Sequence, residues 1–296
     1  MTAAAERLEA AARIKGRSLW QDAWQRLLRN RAAVVSLVIL GIIAVMAILA
    51  PWLSPHPYDE IYWDQIEQPP NMALAHWFGT DGSGRDLFVR TLYGARVSLM
   101  VGVLATTVSL IIGVTWGSIA GFIGGRVDTL MMRFVDIMYS LPFMFFVILL
   151  MVVFGRSIVL IFIGIGCVEW LTMARIVRGQ TLSVKRKEFI EAARASGTST
   201  FTIIRRHVVP NVLGPVIVYV TLTIPQVILT ESFLSFLGLG VQEPLTSWGV
   251  LISEGARQME SAPWMLVFPA LFLAMTLFCF NFLGDGLRDA LDPKDR

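Results

Sequence analysis

The chain has 296 residues, of which 55% are hydrophobic and 16% charged, where an ordinary soluble domain carries about a quarter charged residues. A formal net charge of +3 is far from the basic excess of a nucleic-acid-binding surface. The two cysteines, Cys167 and Cys279, both fall in apolar stretches, so a disulfide framework is excluded and no metal site is read there.

Residues 1–31 form a basic N-terminal segment. Inside it, LWQDAWQRLL (19–28) spaces Leu19, Trp20, Ala23, Trp24, Leu27 and Leu28 at i, i+3 and i+4. One apolar face with two tryptophans and flanking arginines predicts a helix lying in the inner membrane interface; the alternative is a soluble amphipathic helix packed on another protein. Six nearly charge-free stretches follow, at 32–57, 97–125, 137–155, 157–174, 208–230 and 261–284. Each reaches the ~17–25 residues a helix needs to cross the hydrocarbon. Their runs are continuous rather than alternating, which selects helices over a barrel. The first is too long, and too far from the start, for a removable signal peptide.

The organisation expected is therefore a first span at 32–53, an outer segment at 54–94, a core of five further spans at 95–288 with an inner loop at 175–211 and an outer loop at 239–262, and a short tail at 289–296. The fold class is all-α membrane protein with six transmembrane helices. In the outer segment, FGTDGSGRDLF invites a phosphate-loop reading, but no Lys-Ser/Thr follows and two aspartates would repel phosphate. Tight turns are the default meaning of such glycines. In the second span Ala105, Ser109, Gly113, Gly117, Gly121 and Gly125 recur every fourth residue, a small-residue seam for close helix packing, within the chain or against another. Pro142, Pro225, Pro263 and Pro269 predict kinked or broken spans.

Lys and Arg are distributed unevenly. Twenty lie before span one, between spans two and three, between four and five, and after six; the opposite set holds only Arg85, Arg90, Arg96, Arg156 and Arg257. The positive-inside rule places both termini in the cytoplasm. Two acids fall within spans. Glu169 lies in the inner half of span four and Glu231 near the outer end of span five. An ionisable group there costs several kcal/mol unless it meets water or a partner. Both are candidates for the wall or gate of a path; a wet interfacial position for Glu231 and a structural hydrogen bond for Glu169 are the bland alternatives. Thr221, Thr223 and Asn281 are polar enough to line a path or to bond across helices.

The inner loop at 175–211 carries a pattern that a topology-setting basic loop does not need. Ser183 to Ala195 reads as a short helix with Phe189, Ile190, Ala192 and Ala193 as an apolar patch. Gly197 is placed to end it in a left-handed conformation. Ser199 or Thr200 caps a second short helix with Phe201, Ile204 and Val208 on one face, which Pro210 ends.

These residues resemble a known family. Glu191-Ala192-Ala193, Gly197, Ile203-Ile204 and Pro210 are similar to the EAA loop of bacterial ABC-importer permeases. FGTDGSGRDLF, ARIVRGQTLSVKRKEFIEAARASG, SFLGLGVQEPLTSWG and GDGLRDALDPKDR are similar to the dipeptide and oligopeptide permease branch, and the LWQDA start and FCFNFLGDGLRDALDPKDR to its oligopeptide C-subunit group. The resemblance runs over nearly the whole chain. It implies a type I importer permease in a bacterial inner membrane, working by alternating access as one of five parts: this chain, a second permease, two ATPase subunits and a periplasmic peptide-binding protein. It implies that Glu191, Ala192, Ala193, Gly197, Ile204 and Pro210 couple to an ATPase, and it makes Gln242, Glu243 and Pro244 candidates for docking the binding protein. The chain has no GxxxxGK[ST], so ATP and Mg²⁺ are expected on partners and no cofactor on this chain. Dipeptides or a nickel chelate are alternative cargoes. A self-contained secondary transporter is the rival of another class, disfavoured by the absence of a convincing internal repeat. An intramembrane enzyme is disfavoured because His56, His76 and His207 all lie outside the spans.

Overall fold

A computed structural model describes residues 19–155 and 157–291, without the side chains of Leu19 and Trp20. The charges expected at 1–18, 156 and 292–296, and the end of the C-terminal motif, lie outside the described residues. Those described are helical apart from connecting segments and two isolated bridges, Asn71 with His76 and Thr80 with Asp86. We name the helices α1 (Leu19–Arg29), α2 (Arg31–Leu53), α3 (Leu87–Ile123), α4 (Gly125–Ser140), α5 (Phe143–Phe154), α6 (Ile158–Val184), α7 (Glu188–Ala195), α8 (Thr200–Leu239), α9 (Trp248–Arg257) and α10 (Trp264–Leu291).

Five of these, α2, α3, α6, α8 and α10, are long and apolar enough to cross a membrane. A sixth crossing is available if α4 and α5, bent by 76° across Leu141 and Pro142, form one broken span. The break fits the proline, which lacks an N–H for the ladder and pushes Leu141 into extended backbone (φ −77°, ψ 135°). Pro225 and Pro269 sit inside α8 and α10 without ending them.

Several expected boundaries are corrected. The helix that carries the second span begins at Leu87, ahead of the expected 95 or 97: Asp86 caps α3 by accepting from Val89 N at 2.8 Å, and Arg90 inside its first turn is paired by Asp81. A charge that sequence reading treats as outside the helix is thus neutralised within it. The helix of the fourth span continues to Val184, so the loop helix starts at Glu188 rather than Ser183. Pro210 does not end a second short helix. A π-helical turn at Ile204–Val208 precedes it, and Pro210 enters the first turn of Val209–Leu234, where an N–H has no obligatory partner. One bent rod therefore joins the inner loop to the fifth span.

The small-residue seam packs within the chain. The most extensive helix contact of the fold is α3 on α6. A Cβ on Gly113 would stand 2.5 Å from Met173 Cβ, and one on Gly121 2.9 Å from Arg178 O; one on Gly117 would strike the Ala174 carbonyl. The missing side chains let the two backbones meet. Gly125 is not part of the seam: at φ +56° it opens α4 with open space around it. The chain's amphipathic start, α1, lays Ala23 and Leu27 on Leu283, Leu287 and Ala290 of α10 and leaves Trp24 and Leu28 half exposed.

Candidate functional site

Two clusters of chemically informative residues lie at opposite ends of the bundle. The first is the loop at α7. Residues 188–195 form two helical turns, and Gly197 ends them at φ +74°, with Thr198 N donating to Ala193 O at 3.1 Å and Gly197 N to Arg194 O at 3.0 Å. A Cβ on Gly197 would meet nothing within 4 Å, so its requirement is the left-handed backbone and not space. Ser199 caps the start of α8 by accepting from Thr202 N at 3.4 Å.

The expected apolar patch divides. Ile190 is fully buried against Phe122 of α3, Val184 of α6 and Ile203, Val208 and Val212 of α8. Ala193 packs at the edge of that cluster, while Phe189, Glu191 and Ala192 face outward. The expected face of Phe201, Ile204 and Val208 is not one face: Phe201 is exposed, Ile204 half-buried and Val208 buried, because Ile204 and Val208 lie inside a π turn whose wider winding takes them off the face of Phe201. Ile190 and Ile203 are the anchors; sequence reading names the first in the apolar patch and the second in the family motif, without singling either out as the residue that holds the loop to the bundle. The loop is further braced by the Arg194 guanidinium over the Phe122 ring at 4.9 Å. Beside it, Arg178 of α6 makes a two-pronged pair with Asp128 of α4, both contacts 2.6 Å. The arrangement leaves a small exposed knob attached where three long helices end.

The second cluster surrounds Glu231. Its side chain is fully buried, not wet. Oε1 accepts from Ser235 Oγ and Ser247 Oγ, both at 2.7 Å, and Oε2 faces Ser98 Oγ at 3.4 Å. Ser98 Oγ accepts from Trp248 N at 3.2 Å, and the buried Trp248 ring donates from Nε1 to Thr91 O at 3.1 Å. The carboxylate therefore ties α3, α8 and α9 at one point. Gly249 lets α9 approach so closely that its Cβ would lie 2.5 Å from Ser232 Cα.

Next to this knot runs a charge network. Asp81 accepts from Arg85 Nε at 3.0 Å and from Arg90 Nη1 at 2.6 Å; Arg85 Nη2 reaches Glu243 at 2.9 Å, and Arg90 Nη2 stands 3.6 Å from Glu254. Asp81 and Arg90 are almost wholly buried, and Glu243 is exposed. Burial lifts Glu254 above the usual carboxylate range, opposed by Arg90. The glycines of FGTDGSGRD make turns: Gly79 and Gly84 both have φ +79°, and Asp81 Oδ1 accepts from Ser83 N at 2.8 Å. Of the docking candidates, Glu243 joins this network, Gln242 Nε2 donates to Gly240 O at 2.8 Å, and Pro244 follows Glu243 in the same loop.

Glu169 is half-buried on α6, and Tyr139 and Thr172, which bond one another, lie on the neighbouring faces of α4 and α6. Thr221 and Thr223 donate to Ile217 O and Tyr219 O in their own helix, at 3.0 and 2.9 Å, and Asn281 donates to Leu277 O at 2.8 Å. Among the described residues His56, His76 and Asp86 gather within 4.8 Å. The two imidazoles stack at 4.1 Å and 20°, so in-plane lone pairs cannot converge on one ion, and all four ring nitrogens already have partners. This group is a brace for the outer segment.

The sequence comparisons accord with this architecture. A family model described as "Binding-protein-dependent transport system inner membrane component" matches residues 113–296, and one described as "N-terminal TM domain of oligopeptide transport permease C" matches residues 18–70. The chain is 58% identical, over 99% of its length and 94% of the relative's, to the oligopeptide transport system permease protein OppC of Haemophilus influenzae. It is 61% identical, over 96% and 94%, to the OppC protein of Escherichia coli K12. It is 49% identical, over 94% and 87%, to the dipeptide transport system permease protein DppC of Bacillus subtilis. With a polytopic helical bundle, a keyed inner loop and a family match over more than half its length, the chain belongs to the inner membrane components, or permeases, of binding-protein-dependent transport systems.

Proposed function

We propose that this permease imports oligopeptides, as one of two paired permease subunits served by two ATPase subunits and an external peptide-binding protein in a bacterial inner membrane. The chain itself is non-catalytic and binds no cofactor; ATP and Mg²⁺ act on the partners. It crosses the membrane six times, α4 and α5 making one broken span, with both termini cytoplasmic. The near full-length identity to oligopeptide permeases supports the cargo.

The observation that carries the mechanism is the burial of Ile190 among three helix ends while Glu191 and Ala192 stay exposed. Closure of the ATPase pair pushes the exposed knob of Glu191, Ala192 and Ala193. Gly197 holds the knob's turn, and Ile190 and Ile204 pass the movement to α3, α6 and the α8 rod that runs through Pro210. At the other end Glu231 is the outer gate: its three serine contacts hold α9 over α3 and α8, and opening must separate them. Glu169 lines the inner half of the path. The exposed Glu243, with Gln242 and Pro244, offers a docking edge for the binding protein.

Affinity isolation from native membranes tests the assembly. Recovery of a second permease and two ATPases with the wild type, and their loss with Gly197→Asp, is expected. Recovery of this chain alone, still transporting, would put a secondary transporter in its place. Glu231→Gln tests the gate: unchanged peptide uptake and unchanged stimulation of ATP hydrolysis by the loaded binding protein would remove it.

A further inference from the structure

We propose that the groove between α2 and α10 binds one anionic phospholipid, its acyl chain along the groove and its phosphate on Arg31. The groove has a volume of about 660 Å³, within the ~300–1,000 Å³ typical of a site for a small molecule. Its walls are almost wholly apolar, with Val35 and Ile39 on one side and Leu271, Met275 and Phe282 on the other, and among the described residues Arg31 is the only charge in its lining. From Phe282 to Leu271 the wall rises ~16 Å at 1.5 Å per residue, which is half of the ~30 Å hydrocarbon core. The groove therefore matches one leaflet, with a cation at one end and hydrocarbon along the rest.

The level of that cation is set independently. α1 meets the first span at Asn30, whose side chain accepts from Ala33 N at 3.2 Å, so Arg31 sits at the junction of the two helices. α1 packs on the end of α10 and turns Trp24, 54% exposed, and Leu28, 51% exposed, away from the protein. Such a helix rides at headgroup depth, which puts Arg31 beside lipid phosphate. Arg31 is exposed and makes no ion pair with a described residue. The adjoining cleft sets Asp289 beside Arg26 and Arg29, and a further cleft sets Asp22 beside the same two guanidiniums, so these carboxylates lie against those arginines and not in the groove of Arg31. A cation at headgroup level favours an anionic over a zwitterionic lipid. None of this depends on the cargo or on which leaflet is involved.

The test uses the full-length chain, purified in mild detergent with whatever subunits accompany it, and follows thermal unfolding with added phosphatidylglycerol, phosphatidylcholine or inorganic phosphate. Phosphatidylglycerol is expected to raise Tm by about 4 °C more than phosphatidylcholine. Arg31→Gln removes that difference and Arg31→Lys keeps most of it, because the ammonium retains the charge. Ala274→Trp fills the groove and abolishes the response to both lipids; Val35→Trp serves where Ala274→Trp does not accumulate. Equal responses to the two lipids in the wild type overturn the proposal. A shift reproduced by inorganic phosphate also overturns it, leaving an anion site without a chain. So does cross-linking of Met275→Cys to a helix of another subunit in native membranes, which would make the groove a protein interface.

Discussion

At the Ile190 end, an eight-residue helix is held to the bundle by one buried isoleucine, the partly buried Ala193 and an arginine lying on a phenylalanine ring, while Phe189, Glu191 and Ala192 stay exposed. At the Glu231 end the chain buries carboxylate, hydroxyls and guanidinium together and joins α3, α8, the start of α9 and the outer segment through them. An apolar anchor is tolerant of direction, so the inner element can rock while staying attached. Buried charges tolerate no partial separation, since each group parted from its partner meets the desolvation cost alone. The inner end is thus joined to the bundle mainly by apolar contact and the outer end by buried polar groups, of which Arg90 Nε, Arg90 Nη2 and Ser232 Oγ have no hydrogen-bond partner among the described residues.

The contrast can be broken most severely at Asp81. Asp81→Ala leaves Arg90 buried with only a distant Glu254 and should cost about 3–5 kcal/mol, the penalty for an uncompensated buried charge. The expected outcome is failure to accumulate in membranes at 37 °C, and normal accumulation would show that the outer network is wet. Ile190→Ala opens a cavity at the junction of three helices, at a cost on the order of 2–5 kcal/mol to the local packing. Because the anchor is confined to α7, the chain should still insert and fold, with transport per ATP hydrolysed reduced; coupled transport at the wild-type ratio would place the transmission elsewhere.

Gly197→Val should lose about 1–2 kcal/mol through the left-handed backbone alone, since space around it is open. Gly197→Asn, tolerant of that conformation, should restore most of the co-purification of ATPase subunits. The smallest effect is titration of Glu254. Its folded-state pKa is raised, so the folded chain holds that proton to higher pH than the unfolded chain. Stability contributed by the protonated form is present below the ordinary carboxylate range and lost as pH rises through the raised value. Thermal unfolding of Glu254→Gln across that range should be flatter than the wild type by that component; parallel profiles would show that Glu254 is not the titrating group.

Much of this was legible from residues. Apolar runs of span length, the bias of Lys and Arg, the fourfold small-residue stripe and the helix–Gly–helix loop are local properties, written at fixed spacing along one chain. Gly197 is the clearest case: its φ of +74° is set by the residues on either side of it. Less legible were features whose cause lies far away in sequence. Whether Gly113, Gly117 and Gly121 face this chain or another depends on Met173, Ala174 and Arg178 arriving opposite them. Arg90 could enter a helix only because Asp81 and Glu254 meet it there, the latter from 164 positions on. For Glu231 a wet interfacial position stayed open beside the gate reading, because Ser98 and Ser247, 133 residues behind and 16 ahead, are the groups that enclose it. Composition and periodicity are enough to place helices in a membrane, because the bilayer acts on each segment separately. The partner of a buried charge, the side of a glycine seam and the anchor of a coupling helix depend on packing between segments, and they exist only once the helices have met.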